Sequence, residues 1–396
     1  MKILAQHGFG PKDKLSRGLS EELISGVILS PRYSNREKMQ KQIEELTRLN
    51  GQVLMDPELY AIQFIAHPSS NLGNLEKWEY FKAPRRSTLI SGMAIPDLIR
   101  ESLKTQSELG LKEWIAPNVY IQAADSIEAA ISLNFISQTK EVASQVGEMP
   151  VFATLAIDGM AVMERTDFQD IFDALTAIET PPDGYYIVMG CQGNTNSSSM
   201  IRSDVYDSRV IAGWMYMNHV LSINSSRVIN GYCHLLSPLL GICGAEAAAS
   251  GWFSGLRQFS INRYIGNAKG GKYPLIRYVS NPLFARIKQT DLLAFKKVLP
   301  SIVNELRLDT SFLSEEPTRT EEALQSWEAL SAQCKTHCSG NLKDDLENYD
   351  AYLVNALIKW SRLYQAGFPQ GNQANTERIE AIREGIEIFK EWAELA

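Results

Sequence analysis

Residues 150–158 read Pro-Val-Phe-Ala-Thr-Leu-Ala-Ile-Asp, and residues 185–192 read Tyr-Tyr-Ile-Val-Met-Gly-Cys-Gln. Each is a short apolar run, and a helical pattern at 167–178 lies between them. A strand covered on both faces reads as a continuous apolar run rather than as an alternation. Strand, helix and strand in that order make a βαβ unit with parallel strands.

Working outward, the same pattern recurs. Strand-like runs fall at 3–7, 27–31, 53–60, 113–122, 227–234 and 246–252, and helical patterns at 35–49, 95–109, 127–146, 203–221 and 237–243. Gly51 is a C-cap candidate after the helix at 35–49, and Pro96 stands where a first-turn proline belongs. Eight runs match the strand count of a closed (β/α)8 barrel; a doubly wound open sheet is the alternative. After about residue 290 the pattern is wholly helical, at 290–308, 320–334, 342–364 and 376–395. The expected architecture is α/β: a TIM-type barrel over 1–289 with a basic hairpin insertion at about 253–289, then a helical C-terminal subdomain over 290–396.

The chain has 396 residues, 44% hydrophobic and 21% charged, too apolar for a disordered chain. No apolar run approaches the roughly 18–20 residues of a membrane span. The opening MKILAQHGFG is too short and polar for a secretory signal, and the 5 scattered cysteines suit a reducing compartment. A cytoplasmic protein without membrane contact is expected.

The net charge of −7 is unevenly spread. Residues 1–252 carry 21 basic and 28 acidic side chains, residues 253–300 carry 9 and 1, and residues 301–396 carry 9 and 17. Aromatic residues interleave the basic segment, a mixture that suits phosphate neutralisation with base stacking. Nucleic acid is therefore one expected partner of 253–300; pairing with the acidic C-terminal region is the other reading. Within the segment, 266–272 (GNAKGGK) has phosphate-loop spacing, but Tyr273 replaces the Ser or Thr and a strand-like stretch follows. It reads as a Gly-rich basic hairpin, not an NTPase motif.

Barrels carry function at the C-terminal ends of their strands. Those ends supply His7, Arg32, Asp56, Tyr60, Asp125, Asp158, Gly190, Gln192, His234 and Trp252, followed by Arg257 and Arg263. Asp56 and Asp158 are the acid, base or nucleophile candidates, with His234 as a further acid/base group. His7, Arg32, Tyr60, Asp125, Gly190, Gln192, Trp252, Arg257 and Arg263 are the substrate-binding candidates. Cys334, His337 and Cys338 cluster in sequence and offer metal-type ligands; a helix-end cysteine pair is the alternative.

In order, these strand ends resemble the tRNA-guanine transglycosylase superfamily over about residues 50–275. Met55–Tyr60 is similar to its early base-binding aspartate segment and Asp125 to its second base-recognising aspartate. The segments 158–160, 189–193, 232–238 and 244–246 are similar to its successive Gly-rich and turn motifs, and 257–272 to its basic hairpin. The resemblance implies a (β/α)8 barrel that exchanges a nucleobase through an aspartyl–sugar intermediate. It also implies a structural zinc, reduced here to Cys334, His337 and Cys338. The family's nucleophilic aspartate falls near Ala249 and Ser250, so Asp158 would have to serve instead.

Three functions follow. The first is base exchange or base modification on a nucleic acid or nucleotide, with Asp56 and Asp125 on the base edge. The second is a hydrolase or lyase for a small phosphorylated or sugar substrate, with Arg257 and Arg263 as anion clamps. The third is a non-catalytic barrel that docks a protein partner, or a second copy, through the helical C-terminal region and Trp327, Trp360 and Trp392. For those tryptophans, packing of the helices onto the barrel is the favoured reading.

Overall fold

A computed structural model describes residues 1–10, 13–191, 205–266, 275–314, 316–368 and 375–395. Its core is a parallel barrel of β1 (Lys2–Gln6), β2 (Gly26–Leu29), β3 (Gln52–Met55), β4 (Trp114–Ala116), β5 (Tyr120–Ile121), β6 (Val151–Asp158), β7 (Gly184–Gly190), β8 (Arg227–Gly231) and β9 (Ala247–Ser250). The hydrogen-bonded order is β3-β2-β1-β9-β8-β7-β6-β4, with β5 also on β6. The first strand pairs with the last, Leu4 opposite Ala249, so the sheet curls round to a seam between β3 and β4. All eight expected runs are strands, including the Ala-rich last one.

β4 and β5 are two halves of one stave. Pro117 interrupts it, because proline has no N–H to give the ladder. Side chains repair the gap. Asn118 Nδ2 donates to the Thr154 carbonyl at 2.6 Å, and Thr154 Oγ1 donates to the Ala116 carbonyl at 2.6 Å.

The N-terminal rim is tied by charge. Arg227, at the start of β8, donates Nε and Nη2 to Glu246 at 2.7 and 3.0 Å and Nη1 to Glu113 at 2.7 Å. Glu246 also takes Lys2 Nζ at 3.0 Å, and Glu113 accepts from Gln52 Nε2 across the open seam. The belt joins β1, β3, β8 and the residues just ahead of β4 and β9.

Around the barrel lie α1 (Asp13–Ser20), α2 (Arg36–Arg48), the short α3 (Arg86–Ile90), α4 (Ile95–Glu108), α5 (Ile127–Val146), α6 (Arg165–Thr176), α7 (Ser208–Ile223) and α8 (Ser237–Ile242). Asn35 and Ser126 cap their helices by accepting from Lys38 N and Ala129 N. After α2 the left-handed residue is Asn50 (φ 57°), one ahead of the expected Gly51. The Gly51 N–H instead closes the outer bond of the turn, to the Leu46 carbonyl at 3.2 Å. The polar α1 was not legible in the sequence pattern.

After β9 come a hairpin of β10 (Arg277–Ser280) and β11 (Ala285–Lys288), then α9 (Gln289–Val298), α10 (Asp309–Ser314), α11 (Arg319–His337), α12 (Leu342–Gln365) and α13 (Asn375–Trp392). The expected domain boundary at 290 falls inside this excursion. α11 returns to lie against α1, α8 and β1, the position of the eighth barrel helix. Trp327 anchors it by donating Nε1 to the Ser250 carbonyl at 2.8 Å. α12 and α13 form a further layer on α8 and α7. Trp360 donates to the Leu283 carbonyl at 2.9 Å, and Trp392 packs on Phe168 and Tyr216. These tryptophans thus pack helices inward. Among the described residues no helix is long and apolar enough to cross a membrane.

Candidate functional site

The C-terminal mouth of the barrel is filled by the chain's own residues. After β9 the backbone crosses the mouth and is stitched down on the way. Leu256 accepts from Gly251 N at 3.0 Å, Phe259 accepts from Cys191 N at 2.9 Å beyond β7, and Tyr264 accepts from Asn71 N at 2.8 Å beyond β3. Phe259 is fully buried at the centre, with the rings of Tyr60, Tyr120, Tyr232 and Tyr264 centred 5.2–6.5 Å from its own. Much of the segment expected to be a basic surface is therefore a plug.

Beneath it lies a carboxylate cluster. Asp56, wholly buried at the end of β3, accepts from the Tyr60 hydroxyl at 2.7 Å, the Tyr186 hydroxyl at 3.1 Å and Glu58 N at 2.9 Å. Glu58, also wholly buried and held at φ 52°, accepts from Ser30 Oγ at 2.9 Å. Burial raises the Asp56 carboxyl. Burial, and then the nearby Asp56, push Glu58 up to about 7. The balancing charge is Arg263, which donates to the Tyr33 hydroxyl at 2.9 Å and faces the rings of Tyr232 and Tyr264 at 5.3 and 5.8 Å. Asp158 is buried nearby, accepting from the Tyr120 hydroxyl at 2.9 Å and from Met160 N at 3.0 Å.

Gly190 serves this packing. A Cβ there would stand 1.8 Å from the Tyr120 hydroxyl oxygen, so glycine is what allows Tyr120 to reach Asp158. Arg32 donates to the Arg263 carbonyl at 2.9 Å and lies 5.0 Å over the Tyr264 ring. His7 Nδ1 accepts from Ser30 N at 3.3 Å. Trp252 donates to the Phe9 carbonyl at 2.8 Å, and the buried Lys14 lies 5.3 Å from its ring centre.

Beside the plug a groove of about 730 Å³ opens between the loops after β8 and β9, the β10–β11 hairpin and α13. Its cationic lining is Arg257, Arg277, Arg286, Lys288 and Arg378, joined by His234; the carboxylate in the lining is Asp291. Arg286 has a counter-ion, Glu322 at 2.6 Å, with both side chains under 9% exposed. Glu322 is shared with Arg319 at 2.5 Å. Arg257 donates Nη1 to the Trp252 carbonyl at 2.8 Å, and Arg277 donates to the Arg286 carbonyl at 3.3 Å. Among the described residues no carboxylate forms an ion pair with Arg257, Arg277, Lys288 or Arg378.

Burial, and then Arg286, oppose the charge of Arg257, and Glu322 offsets part of that opposition. A guanidinium does not give up its proton at ordinary pH, so the opposition persists as unbalanced positive potential. His234 feels the same field. Burial, then Arg257 and Arg286, hold its imidazole well below the usual histidine range, so it is neutral at pH 7. Its Nε2 is buried without a partner among the described residues, and its backbone is left-handed at φ 45°. Strain of that kind gathers at binding and catalytic sites.

The structure thus distributes the expected residues. His7, Arg32, Asp56, Tyr60, Asp158, Gly190 and Arg263 belong to the sealed mouth. His234 and Arg257 line the groove. Asp125 is exposed in the loop after β5 and joins neither, and Gln192 lies outside the described residues. Cys334, His337 and Cys338 do not form a ligand set. The His337 ring turns to Tyr349 and Tyr352 (5.1 and 4.9 Å), and Cys338 Sγ donates to the Pro238 carbonyl at 3.4 Å. Among the described residues no group of three His, Cys, Asp or Glu is arranged to hold a metal. Glu58, Tyr120 and Tyr186 were missed as site residues because strand-end reading weighs the first polar residue and skips tyrosines inside apolar runs. Arg277 and Arg286 were visible in the basic segment; Arg378 had no signal, standing in an acidic region.

No known family profile matches the chain, and no curated protein matches it in sequence. Solved structures similar in shape include a glycosyl hydrolase of the GH3 family from Mycobacterium smegmatis, at 10% identity and a TM-score of 0.40, over 83% of this chain and 94% of that one.

Proposed function

We propose that this barrel is an enzyme of the hydrolase or lyase kind whose small phosphorylated substrate sits in the arginine-lined groove. One observation carries the reading: among the described residues the groove's lining has five cations and one carboxylate, Glu322 behind it pairs with Arg286 alone of the five, and Arg257 is a largely enclosed guanidinium whose hydrogen bond is to a carbonyl. An enclosed charge without a counter-ion costs several kcal/mol, and a bound anion offsets that cost. The groove lies after the seventh and eighth barrel strands, where this fold commonly holds phosphate. His234 lines the groove and is the candidate base, its unpartnered Nε2, enclosed in the ligand-free protein, turning to a substrate hydroxyl or to water when the groove is filled.

Base exchange would require Asp56, Asp125, Asp158 and His234 to face one ligand near Arg257. With Phe259 over the first and third and Asp125 on the surface, the groove supports the small-substrate reading better. Thermal melting tests it. Glucose 6-phosphate and pyrophosphate are expected to raise Tm, glucose is not, and Arg257→Ala removes the gain. No shift with any phosphate compound, or the same shift in the variant, would overturn the reading.

A further inference from the structure

The groove is far larger than a phosphate group needs; about 730 Å³ lies in the range that takes a whole drug-sized ligand. Its lining also combines two chemistries. Arg257, Arg277 and Arg286 make the charged part, and Phe284, Phe295 and Trp360 contribute an aromatic wall. That wall is fixed from behind. Trp360 is held by its bond to the Leu283 carbonyl, and Phe295 is wedged between Trp360 and Phe368 at ring separations of 6.0 and 4.8 Å. A rigid aromatic wall is a stacking platform for a planar group.

Asp291 completes the arrangement. It stands four residues before Phe295 on α9, so the two share a face of the helix. Its partner among the described residues is the adjacent Thr290 hydroxyl at 3.4 Å, which leaves acceptor capacity toward the groove. A carboxylate only accepts, so it selects a planar body that carries N–H groups.

From this juxtaposition we propose that the groove's ligand is a nucleoside phosphate, with its phosphate on Arg257, Arg277 and Arg286, its base against Phe284, Phe295 and Trp360, and the base's N–H edge on Asp291. The inference rests on the phosphate reading of the groove and narrows it to one substrate class. A single-stranded nucleic acid shares the chemistry, but the three aromatic residues are each under 9% exposed, which favours one enclosed base over a strand running past.

Isothermal titration of the full chain with pyrophosphate, ribose 5-phosphate, AMP, GMP and a short oligothymidylate tests it. AMP or GMP is expected to bind at least tenfold more tightly than ribose 5-phosphate. Arg257→Ala weakens every phosphate probe, whereas Asp291→Asn shifts the nucleotide affinities and leaves ribose 5-phosphate unchanged. Ribose 5-phosphate binding as tightly as both nucleotides overturns the nucleoside assignment while the phosphate site stands. An oligothymidylate that outcompetes the mononucleotides overturns it in favour of a strand. If no probe binds, pyrophosphate included, both readings fail.

Discussion

The two ends of this barrel use arginine in opposite ways. At the N-terminal rim, Arg227 is gripped by Glu246 through two donors and by Glu113 through a third. Side-chain bonds to those carboxylates hold its guanidinium above even its ordinary range. At the C-terminal face, Arg257 has a carbonyl, and the charges that act on it include Arg286 and Arg277 against it and Glu322, which forms no ion pair with it, in its favour. The residue type is the same: Arg227 opens β8, and Arg257 follows the end of β9 by seven residues. The difference is whether the fold supplies the counter-ion. Where it does, the arginine closes a seam; where it does not, the charge is left for a ligand. Conserving stability at the bottom and function at the top is the usual division in this fold.

The contrast can be broken in several ways, and the plug gives the largest effect. Phe259→Ala removes the centre of the mouth's aromatic packing and is expected to cost about 3–5 kcal/mol in urea unfolding. A loss below about 1 kcal/mol would show that the mouth is not sealed by packing. Next is Arg257→Ala. It should weaken pyrophosphate binding by about 2–5 kcal/mol, the usual cost of truncating one partner of an enclosed charge pair. Ligand-free stability should hold or rise, because an unbalanced charge has gone. A destabilised apo protein with full affinity would reverse the roles of the two ends.

Arg227→Ala should do the opposite, lowering the unfolding free energy by about 1–2 kcal/mol with no change in ligand affinity. The figure is kept low because these side chains are 20–35% exposed and partly screened by solvent. Added salt should narrow the gap between the variant and the parent protein.

The last effect concerns Glu58 and appears only as a pH dependence. Its carboxyl is pushed up to about 7 in the folded chain from an ordinary value of 4.5, so between those values the native state holds a proton that the unfolded state has released. Stability contributed by the neutral form is complete below about 4.5 and is lost as pH rises toward 7. Glu58→Gln keeps an acceptor for Ser30 and cannot ionise. It is expected to match the parent at pH 4 and to melt higher at pH 8; parallel melting curves across that range would contradict the buried-carboxyl account.

The barrel was legible because parallel strands are covered on both faces, so each announces itself as an apolar run. The ends of the runs at 150–158 and 227–234 named Asp158 and His234 directly. What stayed hidden depends on long-range return of the chain. Nothing local distinguishes α11, separated from β9 by the hairpin, α9 and α10, as the eighth barrel helix. Nothing local marks Phe259 and Tyr264 as buried, since they sit among Arg257, Arg263 and other polar residues that read as surface. The basic segment was visible as composition, but its division was not: Arg263 went under the plug, while Arg257, Arg277, Arg286 and Lys288 went to the groove.

The central claim rests on Arg257, which among the described residues is a largely enclosed guanidinium with no ion pair and faces the groove after β8 and β9. A crystal of the full chain soaked in tungstate, a heavy dianion of phosphate's shape, tests this most directly. The account predicts an anomalous peak within hydrogen-bonding distance of the Arg257 and Arg286 guanidinium groups, facing His234. A groove with no peak, or tungstate bound instead along the Arg227 belt, would contradict it.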